Sequence, residues 1–367
     1  MKLELTHGTV DLPAFFPDGT RAVVRCVDSR DLVEAGVPGL VINTYHLLRS
    51  PGKSTIQALG GLHRFMNWDK PILTDSGGFQ AYSLVSQNPK RGAVEDDGIV
   101  FRPDGGGEAV KLTPESCIRA QFAYGSDMMM CLDECTALDA PRGECERSVE
   151  RTTRWAAACR REYERQLAIR RIGSQNRSKL LAIIQGGGYP DLRRQCADAL
   201  KAIGFDGYGF GGWPLDSSGE LDKDTLALTA SLMPDDSPKY AMGLGMPESI
   251  AACVRMGYNL FDCVIPTREA RHNRLYIYNE QFKTTDDIDL GKPGFTARFY
   301  PLDEKHWRDK RPLSSVCDCL CCRTCSRAYL SHLYRIRDPL AYRLGTIHNL
   351  RFYTMLMERI RVIYGHE

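Results

Sequence analysis

Five cysteines stand together in the stretch "VCDCLCCRTC", residues 316–325. The spacing C-x-C-x-x-C is formed by Cys317, Cys319 and Cys322. Three thiolates at this spacing can converge on one tetrahedral zinc ion, and a fourth ligand is then needed. His348 in "LGTIHNL" is the best candidate because it follows in the same C-terminal part of the chain, and Cys321 and Cys325 stay open as alternatives. No obvious base stands beside these thiols, so the predicted zinc site is structural rather than catalytic.

A second group of polar residues recurs at the ends of short apolar runs. Asp75 ends the run in "KPILTDSGGFQ", Asp133 that in "DMMMCLDECT", and Asp262 that in "NLFDCVIPTR". Similar runs end at or near Asn43, Gln185, Gly211, Gly212 and Met242. Short apolar runs bounded by turn residues predict buried parallel strands. Carboxylates gathered at the ends of such strands could perform acid–base or nucleophilic chemistry.

Helical stretches separate these runs. "TPESCIRAQFAYG" opens with a helix N-cap signal and closes on glycine, and "DLRRQCADALKAIGF" and "MPESIAACVRMGY" also have helical spacing and a glycine stop. Strand, corner and helix recur about seven or eight times, which predicts a (β/α)8 TIM barrel with its active site at the C-terminal ends of the strands. We therefore expect an α/β protein with one barrel domain over residues 1–367 and a zinc-binding subdomain at 300–350 within it.

The composition is that of an ordinary globular protein. The chain has 367 residues, of which 43% are hydrophobic and 26% charged. The opening residues, "MKLELTHGTVDL", lack the apolar segment of a signal peptide, and no apolar run is long enough for a membrane span. We expect a cytoplasmic protein, in which a cysteine cluster favours metal binding over disulfides. A net charge of +2 gives no bulk sign of a nucleic-acid partner.

Taken in order, the motifs resemble those of the tRNA-guanine transglycosylase family. They include "NTYHLLRSPG", "TDSGGFQ", "LDECT", "IIQGG", "GFDGYGFGG", "FDCVIPTR", the C-x-C-x-x-C run and "TIHNLRFY". Each motif is weak alone, but together they cover nearly the whole chain. The resemblance implies a TIM barrel with a zinc subdomain and His348 as the fourth zinc ligand. It also implies that a guanine at the tRNA wobble position is exchanged for a 7-deazaguanine base such as preQ1 or queuine, the step that leads to queuosine.

The resemblance also assigns roles to single residues. Displacing a base from ribose with retention requires one carboxylate as nucleophile and a second for proton transfer. By match to the family motifs, Asp262 would form a covalent intermediate with C1′ of the ribose, and Asp75 would protonate the leaving guanine. The remaining matches are base contacts at Asp133, Gln185, Gly212, Phe79 and Met242, and tRNA phosphate contacts at Arg268 and Arg271.

The stretch "GGWPLDSSGE" departs from the family pattern. Trp213 is much larger than the leucine usual in bacterial members, and Pro214 has no N–H and a fixed φ. Ser217 stands where the family has a glutamate that supports this loop. Because the loop contacts the 7-substituent of the incoming base in the family, the identity of that base stays open. Cys135 is nevertheless typical of the bacterial members that use preQ1.

Two further departures lie in "PTREARHNR", where Glu269 and Asn273 replace the usual Asn and Gly. We expect them to alter tRNA contacts or barrel capping rather than chemistry. The resemblance further implies a homodimer. Three alternatives remain: the same exchange on another nucleic acid such as DNA, a non-catalytic partner subunit, and a zinc-ribbon binding module on a barrel scaffold. The presence of both Asp75 and Asp262 argues against a non-catalytic subunit.

Overall fold

A computed structural model describes residues 1–102, 109–279, 281–282, 284–291 and 294–364. Its strands are β1 (Lys2–Leu5), β2 (Gly8–Asp11), β3 (Ala14–Pro17), β4 (Leu40–Ile42), β5 (Ile72–Thr74), β6 (Gly92–Glu95), β7 (Gly98–Phe101), β8 (Val110–Leu112), β9 (Met128–Met130), β10 (Lys179–Ile184), β11 (Gly207–Phe210), β12 (Lys239–Ala241), β13 (Leu260–Cys263), β14 (Leu275–Tyr278) and β15 (Thr296–Phe299). Its helices are α1 (Ser29–Glu34), α2 (Thr44–Arg49), α3 (Lys53–Ala58), α4 (Leu62–Met66), α5 (Gly78–Gln87), α6 (Pro114–Tyr124), α7 (Arg142–Arg170), α8 (Pro190–Ile203), α9 (Lys223–Leu232), α10 (Pro247–Arg255), α11 (Ile265–Arg271), α12 (Leu320–Thr324), α13 (Arg327–Arg335) and α14 (Pro339–Tyr364).

Eight parallel strands form a nearly closed barrel, which confirms the predicted α/β barrel fold. Their order around the sheet is β3, β13, β12, β11, β10, β9, β5 and β4. Barrel strands that follow one another in the chain are therefore neighbours in space. The remaining seam lies between β3 and β4, where Asp18 forms a parallel bridge with Val41 and Gly19 donates its N–H to the Val41 carbonyl at 2.7 Å.

Apolar side chains fill the lumen of the barrel. Alternate residues of the strands form one buried cluster, which includes Phe16, Val41, Leu73, Met128, Met130, Leu181, Ile183, Tyr240 and Leu260. Successive side chains of a strand point to opposite faces. In six of the strands, the residue two positions after a lumen residue therefore also faces the lumen, at the C-terminal end of the strand. Those positions are Asp18, Asn43, Asp75, Gln185, Met242 and Asp262.

The β1–β2 hairpin covers the opposite, N-terminal end of the barrel, where Leu3 and Val10 join the lumen cluster. The buried carboxylate of Asp127 fastens it. One oxygen accepts the backbone N–H of His7 at 2.9 Å and lies 2.8 Å from His7 Nδ1. The other lies 3.2 Å from His63 Nε2. Although burial opposes ionisation, these hydrogen bonds lower the pKa of Asp127 to about 2.

The ligand atoms of His7, His63 and Asp127 lie within 4.8 Å of one another, but the ring geometry is unfavourable for a shared metal ion. The rings of His7 and His63 are stacked, with centroids 3.5 Å apart and planes 17° from parallel. A metal bound to imidazole lies on the nitrogen lone pair, in the plane of the ring. Two stacked and nearly parallel rings have no common direction in which both could bind one ion. The group is therefore a hydrogen-bonded clasp between the hairpin and the barrel.

The helices predicted from capping signals are confirmed. Thr113 caps α6 and accepts the N–H of Ser116 in a capping box, and Gly125 ends the helix in the left-handed conformation. Helices α8 and α10 also occupy their predicted stretches. No helix within the described ranges has the length and apolarity needed to cross a membrane.

The C-terminal part surrounds the predicted zinc ligands. The β14–β15 hairpin is antiparallel, and the short helices α12 and α13 precede the long helix α14. Helix α14 packs along the barrel, where Tyr353 donates its hydroxyl to the carbonyl of Gly245 at 2.5 Å. The division into one domain over 1–367 and a subdomain at 300–350 stays a prediction, and residues 365–367 lie outside the described part.

Gly39 provides a test of how tightly the lumen is packed. A Cβ atom at Gly39 would lie 2.4 Å from the ring of Phe16, which is fully buried. We expect Gly39→Ala to lower the free energy of unfolding by about 1–3 kcal/mol, because the ring must shift within a packed core. Urea unfolding measures this change.

Gly173→Ala is the matched control, since no atom lies within 4 Å of its Cβ position. We expect its effect to stay within about 0.5 kcal/mol. Equal destabilisation by both substitutions would contradict the tight lumen packing.

Candidate active site and metal centre

Asp75 follows β5 and is held by the starts of two helices. Its Oδ1 accepts the N–H groups of Thr44 at 2.8 Å and Gly77 at 3.0 Å. Its Oδ2 accepts the side-chain amide of Asn43 at 2.5 Å. Burial raises the pKa of Asp75 to about 7, and the charge of Asp262 adds to the shift. A carboxylate with this pKa can both donate and accept a proton near neutrality.

Asp262 belongs to β13 and faces the same end of the lumen. Its Oδ1 accepts the hydroxyl of Tyr240 at 2.7 Å and the N–H of Gly243 at 2.7 Å. No donor from the described part of the chain contacts Oδ2. Burial raises the pKa of Asp262 to about 6. The carboxylate is thus fixed by one oxygen and leaves the other open, as a nucleophile requires.

The ends of β9, β10 and β11 form a buried polar edge. Gln185 donates Nε2 to Asp133 Oδ2 at 2.7 Å, and burial raises the pKa of Asp133 to about 6. The Oε1 atom of Gln185 is buried and has no hydrogen-bond partner among the described residues. A Cβ at Gly211 would lie 2.6 Å from the Gln185 amide, so only glycine fits beside it. This edge retains donors and acceptors for a planar polar ligand.

Exposed aromatic rings flank this edge. Phe79 and Trp213 are 44% and 43% exposed, and their ring centroids lie 5.7 Å apart in an edge-to-face arrangement. The indole N–H of Trp213 donates to the carbonyl of Thr136 at 3.0 Å. Cys135 is buried beside them, and burial raises the pKa of its thiol to about 12. Met242, half-buried, follows β12.

Arg193 supports the polar edge through hydrogen bonds to its loops, and it was not predicted from the sequence. The buried guanidinium donates to the carbonyls of Gly187 at 2.7 Å and Gly211 at 3.0 Å. It therefore fixes the loops that carry Gln185 and Gly212. The sequence held a signal, because Arg193 lies on the helical stripe that also contains Cys196, Ala197 and Leu200. Tyr240 and Thr44, which hold the two carboxylates, were also missed.

Helix α11 carries the two predicted phosphate contacts. Arg268 is exposed, and Arg271 is half-buried and donates Nε to the carbonyl of Thr267 at 3.1 Å. The departures from the family pattern nearby have local explanations. Glu269 is buried and pairs with Arg274 at 2.6 Å. Asn273 adopts a left-handed φ of 59°, which asparagine tolerates better than most residues and which favours glycine.

The four predicted metal ligands come together. The ligand atoms of Cys317, Cys319, Cys322 and His348 all lie within 4.8 Å of one another. His348 Nδ1 lies 3.5 Å from Cys319 Sγ and 3.3 Å from Cys322 Sγ. Sulfur and nitrogen ligands of a tetrahedral zinc ion are separated by about 3.5–3.8 Å. The cluster therefore fits a structural zinc site.

The hydrogen bond made by the far side of the His348 ring also suits zinc. His348 Nε2 lies 2.7 Å from the carbonyl of Tyr276, so the ring donates there and presents Nδ1 to the metal. Cys321 and Cys325, the alternatives left open by the spacing, lie outside this group of four.

The strand order and the gathered carboxylates are those of a (β/α)8-barrel protein with a candidate active site at the C-terminal ends of its strands. A family model described as Queuine tRNA-ribosyltransferase matches residues 1–363. The chain is 41% identical to the Queuine tRNA-ribosyltransferase of Psychrobacter cryohalolentis, over 98% of this chain and 88% of the relative. It is 42% identical to the enzyme of the same name from Aromatoleum aromaticum, over 98% of this chain and 90% of the relative. It is 40% identical to that of Shouchella clausii, over 98% of this chain and 87% of the relative. The chain belongs to the queuine tRNA-ribosyltransferase family, which confirms the resemblance seen in the motifs.

The metal centre predicts which thiols retain zinc. We expect the purified chain to hold one zinc ion, and Cys319→Ser to lose it, because three ligands leave an open and weakened site. The loss should lower the unfolding temperature, since metal binding contributes folding energy. Metal analysis together with thermal unfolding measures both effects.

Cys325→Ser is the matched control in the same short stretch. Its thiol lies outside the cluster, so this variant should keep zinc and stability. Zinc loss from Cys325→Ser, or its retention by Cys319→Ser, would show that the ligand set is wrong.

Proposed function

We propose that this chain replaces guanine in tRNA with a 7-deazaguanine base through a covalent ribosyl intermediate on Asp262. Membership of the family supports guanine transglycosylation of tRNA. The observation that carries the finer proposal is the pair of carboxylates at the barrel mouth. One has an open oxygen, and the pKa of the other is raised to about 7 by burial.

In the first half of the reaction, Oδ2 of Asp262 attacks C1′ of the ribose. The bond between C1′ and guanine breaks as an ester bond forms to the carboxylate, and guanine leaves with the electron pair and takes a proton from Asp75. Tyr240 and Gly243 orient Asp262 by holding its other oxygen. The RNA backbone stays intact because the chemistry is confined to C1′.

In the second half, the incoming base attacks C1′ and releases Asp262 as a carboxylate. The base loses a proton to Asp75, which restores the starting protonation state. Two displacements at C1′ retain the sugar configuration. The higher pKa at Asp75 suits the proton carrier and the lower pKa at Asp262 suits the ionised nucleophile.

The base is held at the polar edge. Asp133 would accept the N1–H and amino hydrogens of guanine, and the free N–H of Gln185 and the N–H of Gly212 would donate to O6. Phe79 and Met242 would cover the two faces of the flipped-out base. The fixed Gln185–Asp133 hydrogen bond supports this assignment, because it orients both groups before the base arrives.

The surroundings of the site support binding of a polynucleotide. Arg268 and Arg271 would hold tRNA phosphates, and Arg268 is exposed on the helix that directly follows Asp262. The zinc ion would serve a structural role away from the reacting atoms. The homodimer and the cytoplasmic location stay predictions.

The loop after Gly212 bears on the incoming base. Trp213 and Cys135 would contact its 7-substituent. The loop is braced internally, since Asp216 Oδ1 accepts the N–H groups of Ser218 and Glu220 at 2.9 and 3.0 Å. This bracing and the proline at 214 support a loop of fixed shape. We propose a 7-deazaguanine whose substituent packs against an aromatic ring, with preQ1, preQ0 and queuine as the bases to compare.

Base exchange tests the proposed function directly. With tRNA carrying labelled guanine at the wobble position, the chain should release label when one of these bases is added. Asp262→Asn should slow release at least about a thousandfold, since it removes the nucleophile. Asp198→Asn, an exposed carboxylate paired with Lys201, is the control and should leave the rate unchanged. No release by a folded, zinc-loaded chain would reject tRNA exchange and direct the search to DNA or a partner-subunit role.

The two raised pKa values predict a narrow pH optimum. Exchange requires Asp262 ionised, with a pKa of about 6, and Asp75 protonated, with a pKa of about 7. The rate should therefore rise through about pH 6 and fall above about pH 7. Asp75→Asn should lose the alkaline limb and about 10²–10⁴-fold in rate. A flat profile from pH 5.5 to 8.5 would contradict these roles.

A further inference from the structure

Asp18 is not used in the reaction described above, yet it stands at the mouth of the barrel. It follows β3 directly and bridges Val41 at the seam between β3 and β4. Phe16 of the same strand belongs to the lumen cluster, so alternation turns Asp18 into the lumen one step higher. In the parallel register Phe16 is the partner of Asp262. Asp18 therefore lies next to and above the proposed nucleophile.

Only one oxygen of the Asp18 carboxylate accepts hydrogen bonds from the described residues. Its Oδ1 accepts the N–H of Thr20 at 3.1 Å and also the Thr20 hydroxyl. Among the residues that the structure describes, no donor contacts Oδ2 and no Lys, Arg or His forms an ion pair with Asp18. Burial raises its pKa, and its charge adds to the effect of burial on Asp75 and Asp262. The open oxygen can accept a hydrogen bond from a ligand.

The strand order indicates which part of a nucleotide Asp18 faces. Strands β9, β10 and β11, which carry the polar edge, lie on the side of the barrel opposite β3. A nucleotide with its base against Gln185 and its C1′ at Asp262 therefore directs its ribose towards β3. The ribose hydroxyl nearest to C1′ is the 2′-hydroxyl. A carboxylate can accept the hydrogen bond that this hydroxyl donates.

We propose that Asp18 Oδ2 accepts a hydrogen bond from the 2′-hydroxyl of the nucleotide whose base is exchanged, and thereby selects ribonucleotides over 2′-deoxyribonucleotides. The inference rests on the proposed function and adds a specificity-determining residue to it. Hydrogen bonds to this hydroxyl strengthen as positive charge develops on the sugar in the transition state. If Asp18 only shaped the turn at Thr20, both sugar types would be affected equally.

The test is a cycle of two substrates and two enzymes. An RNA stem-loop carries either guanosine or 2′-deoxyguanosine at the target position, and kcat/KM for guanine release is measured for the wild type and Asp18→Ala. We expect the preference for the ribonucleotide to fall about 10- to 100-fold in the variant, the range for a hydrogen bond to a charged group. Loss of the Asp18 charge also changes the pKa of Asp75 and Asp262 and so affects both sugars, but the additional loss should fall on the ribonucleotide, which alone carries the hydroxyl.

Two further variants separate recognition from folding. Asp18→Asn keeps an oxygen for the Thr20 donors but replaces the charged acceptor with a neutral amide donor, so it should weaken the preference without losing the fold. Thr20→Val removes only the hydroxyl donor to Oδ1, so it should change both sugar rates alike.

Equal losses on both sugars in Asp18→Ala and Asp18→Asn would overturn the inference while leaving base exchange intact. A wild type that prefers the deoxynucleotide would also overturn it and would favour exchange on DNA. A wild type inactive on both, and indistinguishable from Asp262→Asn, would reject the proposed function, and the inference would fall with it.

Discussion

Side chains alternate between the lumen and the helix layer along every barrel strand, and the arrangement of the site depends on this alternation. In β3, β4, β5, β12 and β13 the lumen positions change from apolar residues in the middle to polar or sulfur-containing residues at the C-terminal end. The apolar positions bury surface, which drives folding. A shift of one residue in β13 would turn Asp262 towards the outer helices and remove it from the site. Stability and chemistry are thus set by the same register.

Gathering carboxylates at one buried mouth opposes their ionisation. Burial raises the pKa of Asp75 to about 7 and that of Asp262 to about 6, above the value of about 4 expected in the unfolded chain. The folded state therefore binds these protons more tightly, and the stability linked to them is lost as pH rises from about 4 to about 7. Backbone N–H groups of Thr44, Gly77 and Gly243 offset part of this cost. The same shifts place proton transfer near neutrality.

The metal centre is connected to the site through helix α14. His348 of this helix lies among the cysteines, and Tyr353, five residues later, donates to the carbonyl of Gly245. Gly243, two residues before Gly245, donates its N–H to Asp262. A zinc ion bound to His348 would hold the middle of α14, the helix that also contacts the loop beside the proposed nucleophile. Helix α14 is therefore the element that the metal centre and the candidate active site share.

Local patterns in the sequence predict the secondary-structure elements and the candidate reactive groups. Apolar runs, glycine stops and capping residues specify strands and helices through local interactions. The spacing of Cys317, Cys319 and Cys322 places three zinc ligands close together in the chain. The cysteine spacing does not specify the fourth ligand, because the approach of His348 to the cysteines depends on how α14 packs. The family resemblance named His348. The contacts of Arg193, Tyr240 and Thr44 could not be predicted from the sequence, since each acts on a residue that barrel closure brings close. The proposed role of Asp18 was not predicted from the sequence for the same reason. It depends on the β3–β4 seam and on strands across the barrel, and these contacts join residues that are distant in the chain.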